Sequence, residues 1–409
     1  MTVRGVIAAL VVVLVAGCTG PVVDEDAEGV GTITFVDGED TSSGGQIKAA
    51  VDQWNTEHSD AEQVEFEQMP RSTDAYRAQL TARAQDLAGV PDRSAYRSEC
   101  YDVMSVDMVW TADFARAGYL EPLAPARFGV DRMLPEAVRA ATVDGTLWAV
   151  PWRADAGLLY YRKDVLDREG LEPPTTWGEL EHQARTVAPK YGLDGYLGQF
   201  RRYEGLTVNA SEAMWAHGGS PDRPADPGSK AGVRMLAGGF ADGWIPQAAL
   251  EYDEEASLVR FAEGKALFLR SWPYAVSRLR TTDLRDRFGR AALPGPAALG
   301  GWNLAVSRCS THQKTARAFI AFLTNASTQS KLLVNAGYGP TVTELYRTES
   351  LALLRGIMAG ARARPVGGHY DEVSGVMQVR LHGALKSPAT ADASMDVLAG
   401  EISAAREGR

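Results

Sequence analysis

The sequence predicts an α/β fold that is divided into two lobes. Short β-rich runs alternate with segments of helical periodicity along most of its 409 residues, a pattern typical of parallel βαβ units. About 380 residues would follow the apolar leader described below, which is more than one ordinary hydrophobic core organises. Hydrophobic residues make up 45% of the chain and charged residues 23%, as in soluble globular proteins.

The first part of the chain contains three strand–helix pairs. Apolar residues at helical spacing follow the first strand, and alternation of apolar and polar residues marks the second. Thr111 is placed to cap the third helix, because a threonine hydroxyl can accept a hydrogen bond from a free backbone N–H. The predicted strands are 33–36, 64–67 and 101–106, and the predicted helices are 47–54, 76–87 and 111–118.

A second alternating block starts near Leu147. Thr176 follows a proline-rich turn and is the predicted N-cap of the helix after it. Residues 220–230 form a polar loop, and the sequence has no internal repeat. The predicted strands of this block are 158–161 and 300–306, and its predicted helices are 163–169, 178–187 and 315–323.

The N-terminus has the features of a secretory signal peptide that ends in a lipidation site. The apolar run from Val6 to Ala16 has 11 residues, which cover only about half of a ~30 Å hydrocarbon core. Small residues precede Cys18 as in a bacterial lipobox, so we expect residues 1–17 to be removed and Cys18 to be lipidated. The alternative is an ordinary signal peptide with a cysteine there by chance. Residues 18–30 are acidic and lack an apolar pattern, which predicts a flexible tether.

Two cysteines remain if Cys18 is lipidated. In an oxidising space outside the cytoplasm, Cys100 and Cys309 could form a disulfide. They could equally be buried free thiols, because a sequence does not give the distance between them.

The overall charge argues against a nucleic-acid partner. The formal net charge is −10 and the isoelectric point is about 5.3, whereas binding to phosphates requires clustered lysine and arginine. Beyond the leader, no apolar run is long enough to span a membrane.

Motifs of enzyme chemistry are missing from the sequence. It contains no Walker A loop, no His-Glu-x-x-His, no Gly-x-Ser-x-Gly and no Cys-x-x-Cys. The six histidines are scattered, and none has metal-ligand spacing to a second histidine or cysteine. We therefore predict no catalytic residue, no metal site and no cofactor. Acidic residues are numerous, so the carboxylate pair of a glycoside hydrolase stays open as an alternative.

Tryptophan and tyrosine residues indicate a carbohydrate ligand. The chain has nine Trp and 14 Tyr, and several of them adjoin glycine, proline or a charged residue. A sugar site needs flat aromatic surfaces for C–H faces, together with carboxylate, guanidinium and amide groups for hydroxyls. Core packing is the alternative for any single ring, but the group as a whole favours a sugar-binding cleft. The rings are Trp110, Trp152, Tyr203, Trp272, Tyr274 and Trp302.

Several segments resemble the extracellular solute-binding proteins typified by maltose-binding protein. They occur in family order between about residues 31 and 395. The segments are Asp144–Pro151 (DGTLWAVP), Asp155–Asp164 (DAGLLYYRKD), Pro174–Trp177 (PTTW), Phe261–Tyr274 (FAEGKALFLRSWPY), Gly300–Trp302 (GGW) and Ala363–Pro365 (ARP). Tyr203–Thr207 (YEGLT), Ser271–Tyr274 (SWPY) and Gly301–Trp302 resemble the trehalose/maltose-binding branch, which includes mycobacterial lipoproteins of trehalose-recycling ABC importers.

The resemblance implies a type II periplasmic-binding-protein fold, in which a hinge joins two lobes and the ligand lies in the cleft between them. Lobe 1 would comprise residues 31–146 and 304–350. Lobe 2 would comprise residues 147–303 and 351–409. Closure of such a hinge would bring two incomplete half-sites together around the sugar.

The resemblance also implies which residues bind the sugar. Trp272 and Trp302 would stack on sugar rings, while Asp107, Asp155 and Arg364 would bind hydroxyls. We expect Trp272, Trp302 and Arg364 on lobe 2, and Asp107 and Arg77 on lobe 1. The full set of expected ligand-binding residues is Asp107, Asp155, Trp272, Trp302, Gly301, Arg364, Arg77, Arg153, Tyr203 and Ser43.

Two positions depart from the pattern of the branch. The loop after the first strand, 38–45, has Ser42 or Ser43 where the branch often has a glutamate. Arg153 replaces a tyrosine two residues before Asp155. These changes concern the identity of the sugar more than its class.

The predicted function is that of a monomeric, lipid-anchored binding protein on the extracytoplasmic face of the cell membrane. It would bind a disaccharide, either trehalose, maltose or another α-glucoside, and deliver it to the permease subunits of an ABC importer without chemistry of its own. The alternatives are a secreted glycoside hydrolase and a sugar sensor that feeds a signalling receptor.

Overall fold

A computed structural model describes residues 29–39, 45–88, 99–364 and 369–407. The predicted leader 1–17, the predicted lipidation site Cys18 and the expected ligand residue Ser43 lie outside these ranges. Within the described ranges, no helix is both long and apolar enough to cross a membrane.

Two mixed sheets organise the structure. The first has the strand order β12–β11–β3–β1–β2, and β6 also pairs with β11. The second has the order β10–β7–β9–β8, and β4 pairs with β5 in a small ribbon. The strands are β1 (Ile33–Gly38), β2 (Val64–Met69), β3 (Val103–Asp107), β4 (Thr142–Val143), β5 (Thr146–Leu147), β6 (Val150–Ala156), β7 (Leu158–Arg162), β8 (Asp194–Leu197), β9 (Ala266–Ser271), β10 (Phe288–Ala292), β11 (Ala298–Val306) and β12 (Arg362–Ala363).

The parallel pairing predicted from strand–helix alternation is confirmed for part of each sheet. β1 is parallel to both β2 and β3, and β8 is parallel to β9. β11 is instead antiparallel to β3 and β6, and β7 is antiparallel to β9 and β10. The direction of β11 matters for the site, because it places Asp107, at the C-terminal end of β3, beside Trp302 in the middle of β11.

Helices surround the sheets. Thr176 caps α7 as predicted: its Oγ1 accepts from the N–H of Glu179 at 3.1 Å, and the Glu179 carboxylate accepts from the N–H of Thr176 at 3.3 Å. Thr111 is the first residue of α3 rather than its cap, and its hydroxyl accepts from Asn303 Nδ2 at 3.0 Å. The helices are α1 (Gln46–Glu57), α2 (Thr73–Ala88), α3 (Thr111–Arg116), α4 (Pro125–Phe128), α5 (Pro135–Ala140), α6 (Lys163–Glu169), α7 (Trp177–Thr186), α8 (Glu204–Ala216), α9 (Pro227–Ala241), α10 (Glu254–Ala262), α11 (Ala275–Leu279), α12 (Gln313–Thr324), α13 (Ala326–Gln329), α14 (Ala352–Met358), α15 (Tyr370–Lys386) and α16 (Ala391–Arg406).

Each lobe is built on its own hydrophobic core. The first core joins β1, β3 and α12, with Phe35, Val103 and Phe319 fully buried. The second core joins β7, β9 and α8 with α15 and α16, and Phe268 is among its fully buried side chains. Each half of the chain therefore buries most of its apolar surface in a cluster of its own.

β6 and β11 carry the chain between the two cores. In β6, Trp152 packs in the first core and Ala156 in the second. Leu299 of β11 packs in the first core, whereas Ala297, just before that strand, packs in the second. This differs from the sequence-based boundary, which placed lobe 2 from residue 147, because Leu147 and the following apolar residues of β6 fill the first core.

Cys100 and Cys309 are joined by a disulfide, with their Cα atoms 5.9 Å apart. Cys100 precedes β3 and Cys309 follows β11. Since these strands are adjacent and antiparallel, the start of one lies beside the end of the other. The structure therefore has the paired form of the two alternatives that the sequence left open.

Candidate functional site

A cleft lies between the two lobes, beside the crossing of β6 and β11. The empty space in it is about 1140 Å³ when the open solvent at its mouth is included. Aromatic rings line it from both sides: Tyr76 of α2 and Trp302 of β11 on one, and Tyr203 before α8 and Trp272 after β9 on the other.

Most of the expected ligand-binding residues come together along this cleft. Those that line it are Asp107, Asp155, Trp272, Trp302, Gly301, Arg364, Arg153 and Tyr203. Arg77 is not among the lining residues. Its guanidinium contacts Asp113 at 3.5 Å and forms an ion pair with Asp371. Arg71 does line the cleft, so the first turn of α2 and the loop before it face the site, while the next turn faces α15.

Trp302 is built into the first lobe. In the first sheet, Trp302 of β11 is paired with Asp107 of β3. Its ring stacks on Tyr76, with centroids 5.4 Å apart and planes at 17°, and meets Trp110 edge-on at 5.5 Å. The expectation that Trp302 lies on lobe 2 is therefore wrong, because β11 has already entered the first sheet at this residue.

Trp272 is supported from the second lobe. The guanidinium of Arg270 lies 4.0 Å from the centre of the Trp272 ring. Arg270 is itself fixed by two hydrogen bonds to Glu212, at 2.7 and 2.9 Å. A Cβ atom at Gly300 would lie 2.8 Å from Cη2 and Cζ3 of the indole, so the absence of a side chain at Gly300 makes room for the ring.

Gly301 allows the crossing strands to approach closely. Its φ is +145°, a conformation that residues with a side chain rarely adopt. A Cβ atom there would lie 2.1 Å from the carbonyl oxygen of Arg153. Gly301 therefore shapes the cleft through the backbone.

Arg364 bridges the two lobes at the inner end of the cleft. The residue is 3% exposed. Nη2 lies 3.2 Å from Oδ1 of Asp107, at the end of β3, and Nη1 is hydrogen-bonded to Glu204, at the start of α8. Burial raises the pKa of Asp107, and the nearby Arg364 partly offsets that rise. Among the described residues, Nε of Arg364 has no hydrogen-bond partner.

Glu204 organises this end of the site and was not among the residues expected from the sequence. Besides Arg364, its carboxylate accepts hydrogen bonds from Tyr370 Oη at 2.6 Å and from Ser374 Oγ. Glu204 stands inside the YEGLT segment, so the segment was a usable signal, but the burial of a helix-opening glutamate was not visible in it.

Arg153 is held in place by a carboxylate and by aromatic rings. Its Nη2 donates to Asp37 Oδ1 at 2.8 Å. Its guanidinium carbon lies 4.5, 5.2 and 5.5 Å from the ring centres of Trp152, Tyr338 and Trp302. Burial raises the pKa of Asp37, and the charge of Arg153 counteracts part of that rise. Cation–π contacts and the ion pair together fix this side chain.

Asp155 lies at the hinge end of β6 and is 7% exposed. Its Oδ1 accepts a hydrogen bond from the backbone N–H of Gly339 at 2.8 Å. Burial raises the pKa of this carboxyl to about 6. Asp155 is thus a buried hydrogen-bond acceptor that faces the cleft.

Glu254 is a second residue that sequence reasoning missed. It opens α10, where Asp253 caps the helix by accepting from the N–H of Ala256 at 2.9 Å. The Glu254 carboxylate accepts from Tyr203 Oη at 2.5 Å and from Trp272 Nε1 at 3.5 Å. Acidic residues are common in the first turn of any helix, so the sequence contained no sign that this one faces a cleft.

No group of three or more histidine, cysteine or carboxylate side chains in the described part of the chain could hold a metal ion.

The sequence profile of the bacterial extracellular solute-binding proteins matches residues 49–353. A probable ABC transporter-binding protein of Deinococcus radiodurans is 31% identical over 87% of this chain and 89% of its own length. The maltose-bound MalE3 protein of T. maritima is 31% identical and superimposes with a TM-score of 0.83, over 91% of this chain and 99% of the other. The GacH receptor of Streptomyces glaucescens, solved with acarbose, has 21% identity and a TM-score of 0.80, over 92% and 99%.

The likeness to MalE3 confirms the predicted α/β fold of two lobes with a cleft between them. The family consists of solute-binding proteins rather than enzymes. From the extent of the profile match and the identity to the Deinococcus protein, the chain belongs to the bacterial extracellular solute-binding protein family.

Proposed function

We propose that this protein is the sugar-binding component of an ABC importer and that it binds a disaccharide α-glucoside, such as trehalose or maltose, between its lobes. The observation that carries the proposal is a cleft with aromatic rings on both walls and buried charged groups between them. Such a site suits a ligand with apolar C–H faces and a rim of hydroxyls.

Trp272 and Trp302 are the proposed stacking surfaces. They approach from different lobes, and each is held by an ordered neighbour, Arg270 for the first and Tyr76 for the second. Rings that are already fixed lose little conformational entropy when a sugar binds, which favours affinity.

Asp107, Asp155 and Arg364 are the proposed hydroxyl-binding groups. Nε of Arg364 is buried without a partner among the described residues, and a buried donor of this kind is stabilised when a ligand oxygen accepts from it. Asp155 would accept from a hydroxyl through its ionised carboxylate. Tyr203, Arg153 and Gly301 would shape the walls through the contacts described above.

Closure of the cleft is the proposed mechanism of capture. Each lobe supplies only part of the site, so the closed form alone offers all contacts at once. A ligand shifts the population toward that form only through its greater affinity for it. A shift from mostly open to mostly closed requires about 5.5 kcal/mol, which is compatible with a micromolar Kd, equivalent to about 8.2 kcal/mol in total.

The sugar class is supported by relatives and by the sequence. MalE3, at 31% identity, was solved with maltose, and the mannitol-binding protein of Pseudomonas aeruginosa is 28% identical over 55% of this chain. The YEGLT and SWPY segments support the choice of trehalose or maltose over a sugar alcohol. We further propose that Cys18 carries a lipid anchor, that the protein acts as a monomer on the outer face of the cell membrane, and that the closed form docks on the permease.

Titration calorimetry with trehalose, maltose, sucrose and mannitol tests the proposal. We expect a Kd in the micromolar range or below for at least one disaccharide. Trp272→Ala should weaken that binding by at least ~1.5 kcal/mol, as for a buried aromatic anchor. Trp148→Ala is the matched control, because Trp148 is also half-buried but packs on the first core away from the cleft. Equal affinity of both variants and the parent protein would remove Trp272 from the site.

A further inference from the structure

Charge along the cleft is unbalanced. Seven carboxylates and four guanidiniums line it, which leaves an excess of three negative charges. Two charged residues lie directly behind this lining: Asp37, which pairs with Arg153, and Arg278, which pairs with Glu255. Their charges cancel, so the excess stays the same. A cleft with low-dielectric walls focuses such a charge and makes the local potential strongly negative.

Each of the four guanidiniums is already paired with a carboxylate. At the mouth of the cleft, Arg71 makes two hydrogen bonds to Glu39, at 2.7 and 2.8 Å. Arg201 lies 3.0 Å from Asp253. The other two guanidiniums form the buried ion pairs described above. The positive charge of each guanidinium is therefore already balanced by a carboxylate, although Nε of Arg364 and Nε of Arg153 still have no hydrogen-bond partner among the described residues.

Two of the lining carboxylates accept hydrogen bonds only from neutral donors in the described part of the chain. Asp155 receives the N–H of Gly339, and Glu254 receives the hydroxyl of Tyr203 and the indole N–H of Trp272. Both therefore keep a net negative charge when ionised. Glu254 also lies beside the rings of Tyr203 and Trp272, and a carboxylate next to aromatic rings is a favourable environment for an ammonium group.

We propose that the cleft selects its sugar by charge. It accepts neutral glycosides, binds amine-bearing glycosides more tightly with the ammonium group at Glu254, and rejects glycosides that carry a phosphate or a carboxylate. The proposal rests on the proposed function as a sugar-binding protein and adds the charge class of the ligand. Its physical basis is that a negative ligand meets the repulsion of the excess carboxylates, while the charge of every lining guanidinium is already balanced by a carboxylate, and such repulsion is an effective way to exclude a competitor.

Calorimetry on three forms of one sugar tests the charge selection. The probes are trehalose, 6-amino-6-deoxytrehalose and trehalose 6-phosphate, with glucose, glucosamine and glucose 6-phosphate as a second set. Two like unit charges about 7 Å apart, at an effective dielectric constant near 20, repel each other strongly enough to raise the Kd more than tenfold. We therefore expect the phosphate form to bind at least ~30-fold more weakly than the neutral form. The amine form should bind several-fold more tightly, and high salt should reduce that advantage.

Glu254→Gln assigns the effect to one residue. The amide keeps an acceptor for Tyr203 but loses the charge and the second acceptor, which faces Trp272 Nε1. The neutral sugar is therefore measured in the same variant as the reference, and the several-fold preference for the amine over it should disappear. Glu263→Gln is the control: it removes the same charge at an exposed position on the same segment, where Glu263 pairs with Lys265 at 3.1 Å. Neither the preference nor the affinity should change in that variant.

The outcomes separate this proposal from the proposed function. Equal or tighter binding of the phosphate form, or weaker binding of the amine form, would overturn charge selection while leaving neutral-sugar binding intact. An unchanged amine preference in Glu254→Gln would overturn the assignment to that residue. A third outcome is that no neutral disaccharide binds, while glucosamine binds more tightly than glucose and glucose binds more tightly than glucose 6-phosphate. The disaccharide assignment then fails and charge selection stands. Absence of binding in both sets would overturn both.

Discussion

Adding one methyl group at Gly300 tests whether the position of Trp272 sets the affinity for sugar. Gly300 does not touch the proposed ligand through a side chain, and its backbone, unlike that of Gly301, is not in the conformation that excludes other residues. A Cβ atom there would lie 2.8 Å from Cη2 and Cζ3 of Trp272. The substitution Gly300→Ala therefore acts on the indole and leaves every proposed ligand-binding group in the chain.

The size of the effect follows from the contact. To restore an ordinary contact of 3.4 Å, the ring has to retreat by at least about 0.6 Å. The ring cannot move toward Arg270, because that guanidinium already lies 4.0 Å from the ring centre and is held by Glu212. A gap of this size forfeits a quarter to a half of the contact energy, or about 1 kcal/mol of an aromatic anchor worth ~2–4 kcal/mol. We expect Kd to rise about fivefold.

Calorimetry on Gly300→Ala and on Gly383→Ala measures this. Gly383 lies on α15, where an added Cβ would meet nothing within 4 Å, so the control should bind like the parent and should gain about 0.5–1 kcal/mol of stability from helix propensity. Circular dichroism checks that both variants fold. A folded Gly300→Ala protein with the parental Kd would refute the idea that the indole at this position contacts the sugar.

Three further predictions concern other groups. Burial raises the pKa of Asp155 to about 6, from an ordinary value of about 3.9, so the stability of the ligand-free protein should decrease as pH rises from about 4 to 6, and the affinity for sugar should decrease below pH 6. Asp155→Asn should flatten the stability profile in thermal denaturation and the affinity profile in calorimetry. Unchanged profiles would contradict the assignment. Replacing Cys100 and Cys309 by serine opens a link between residues 209 apart and should lower the free energy of unfolding in urea by about 2–5 kcal/mol; an unchanged midpoint would contradict a structural role. Cys18→Ser should move the protein from the membrane pellet to the soluble fraction, and continued pelleting would count against lipidation.

The elements that the sequence predicted well are those fixed by neighbouring residues. The helix predicted at 163–169 matches α6, and the cap predicted at Thr176 is a complete capping box. Periodicity and capping depend on residues within a few positions of each other, so a single sequence contains them. Four of the aromatic residues that line the cleft were also named from the sequence: Tyr203, Trp272, Tyr274 and Trp302. Tyr76 and Tyr338 were missed, and the prediction that Trp110 and Trp152 belong to the cleft is wrong, because both are buried in the first core.

The features that the sequence did not predict depend on pairing between distant segments. Arg364 lies 257 positions from Asp107, and Arg153 lies 116 positions from Asp37. The lobe of Trp302 depends on which strands flank β11, and the direction of Arg77 depends on where α15 docks. A single sequence does not specify such partners, because long-range pairing is decided by the competition of all surfaces during folding rather than by any local pattern.

Ion pairs between the two lobes affect how much of the free energy of the proposed closure comes from the protein and how much comes from the ligand. Arg364 contacts carboxylates of both lobes, and Arg77 of α2 pairs with Asp371 at the start of α15. Charges taken out of water lose hydration energy that is comparable to the attraction they gain. Such pairs therefore fix the relative position of the two lobes in this structure while adding little net free energy to it. If the proposed closure operates, an open form with hydrated charges would lie close in free energy, and the contacts that a bound sugar adds would tip the balance.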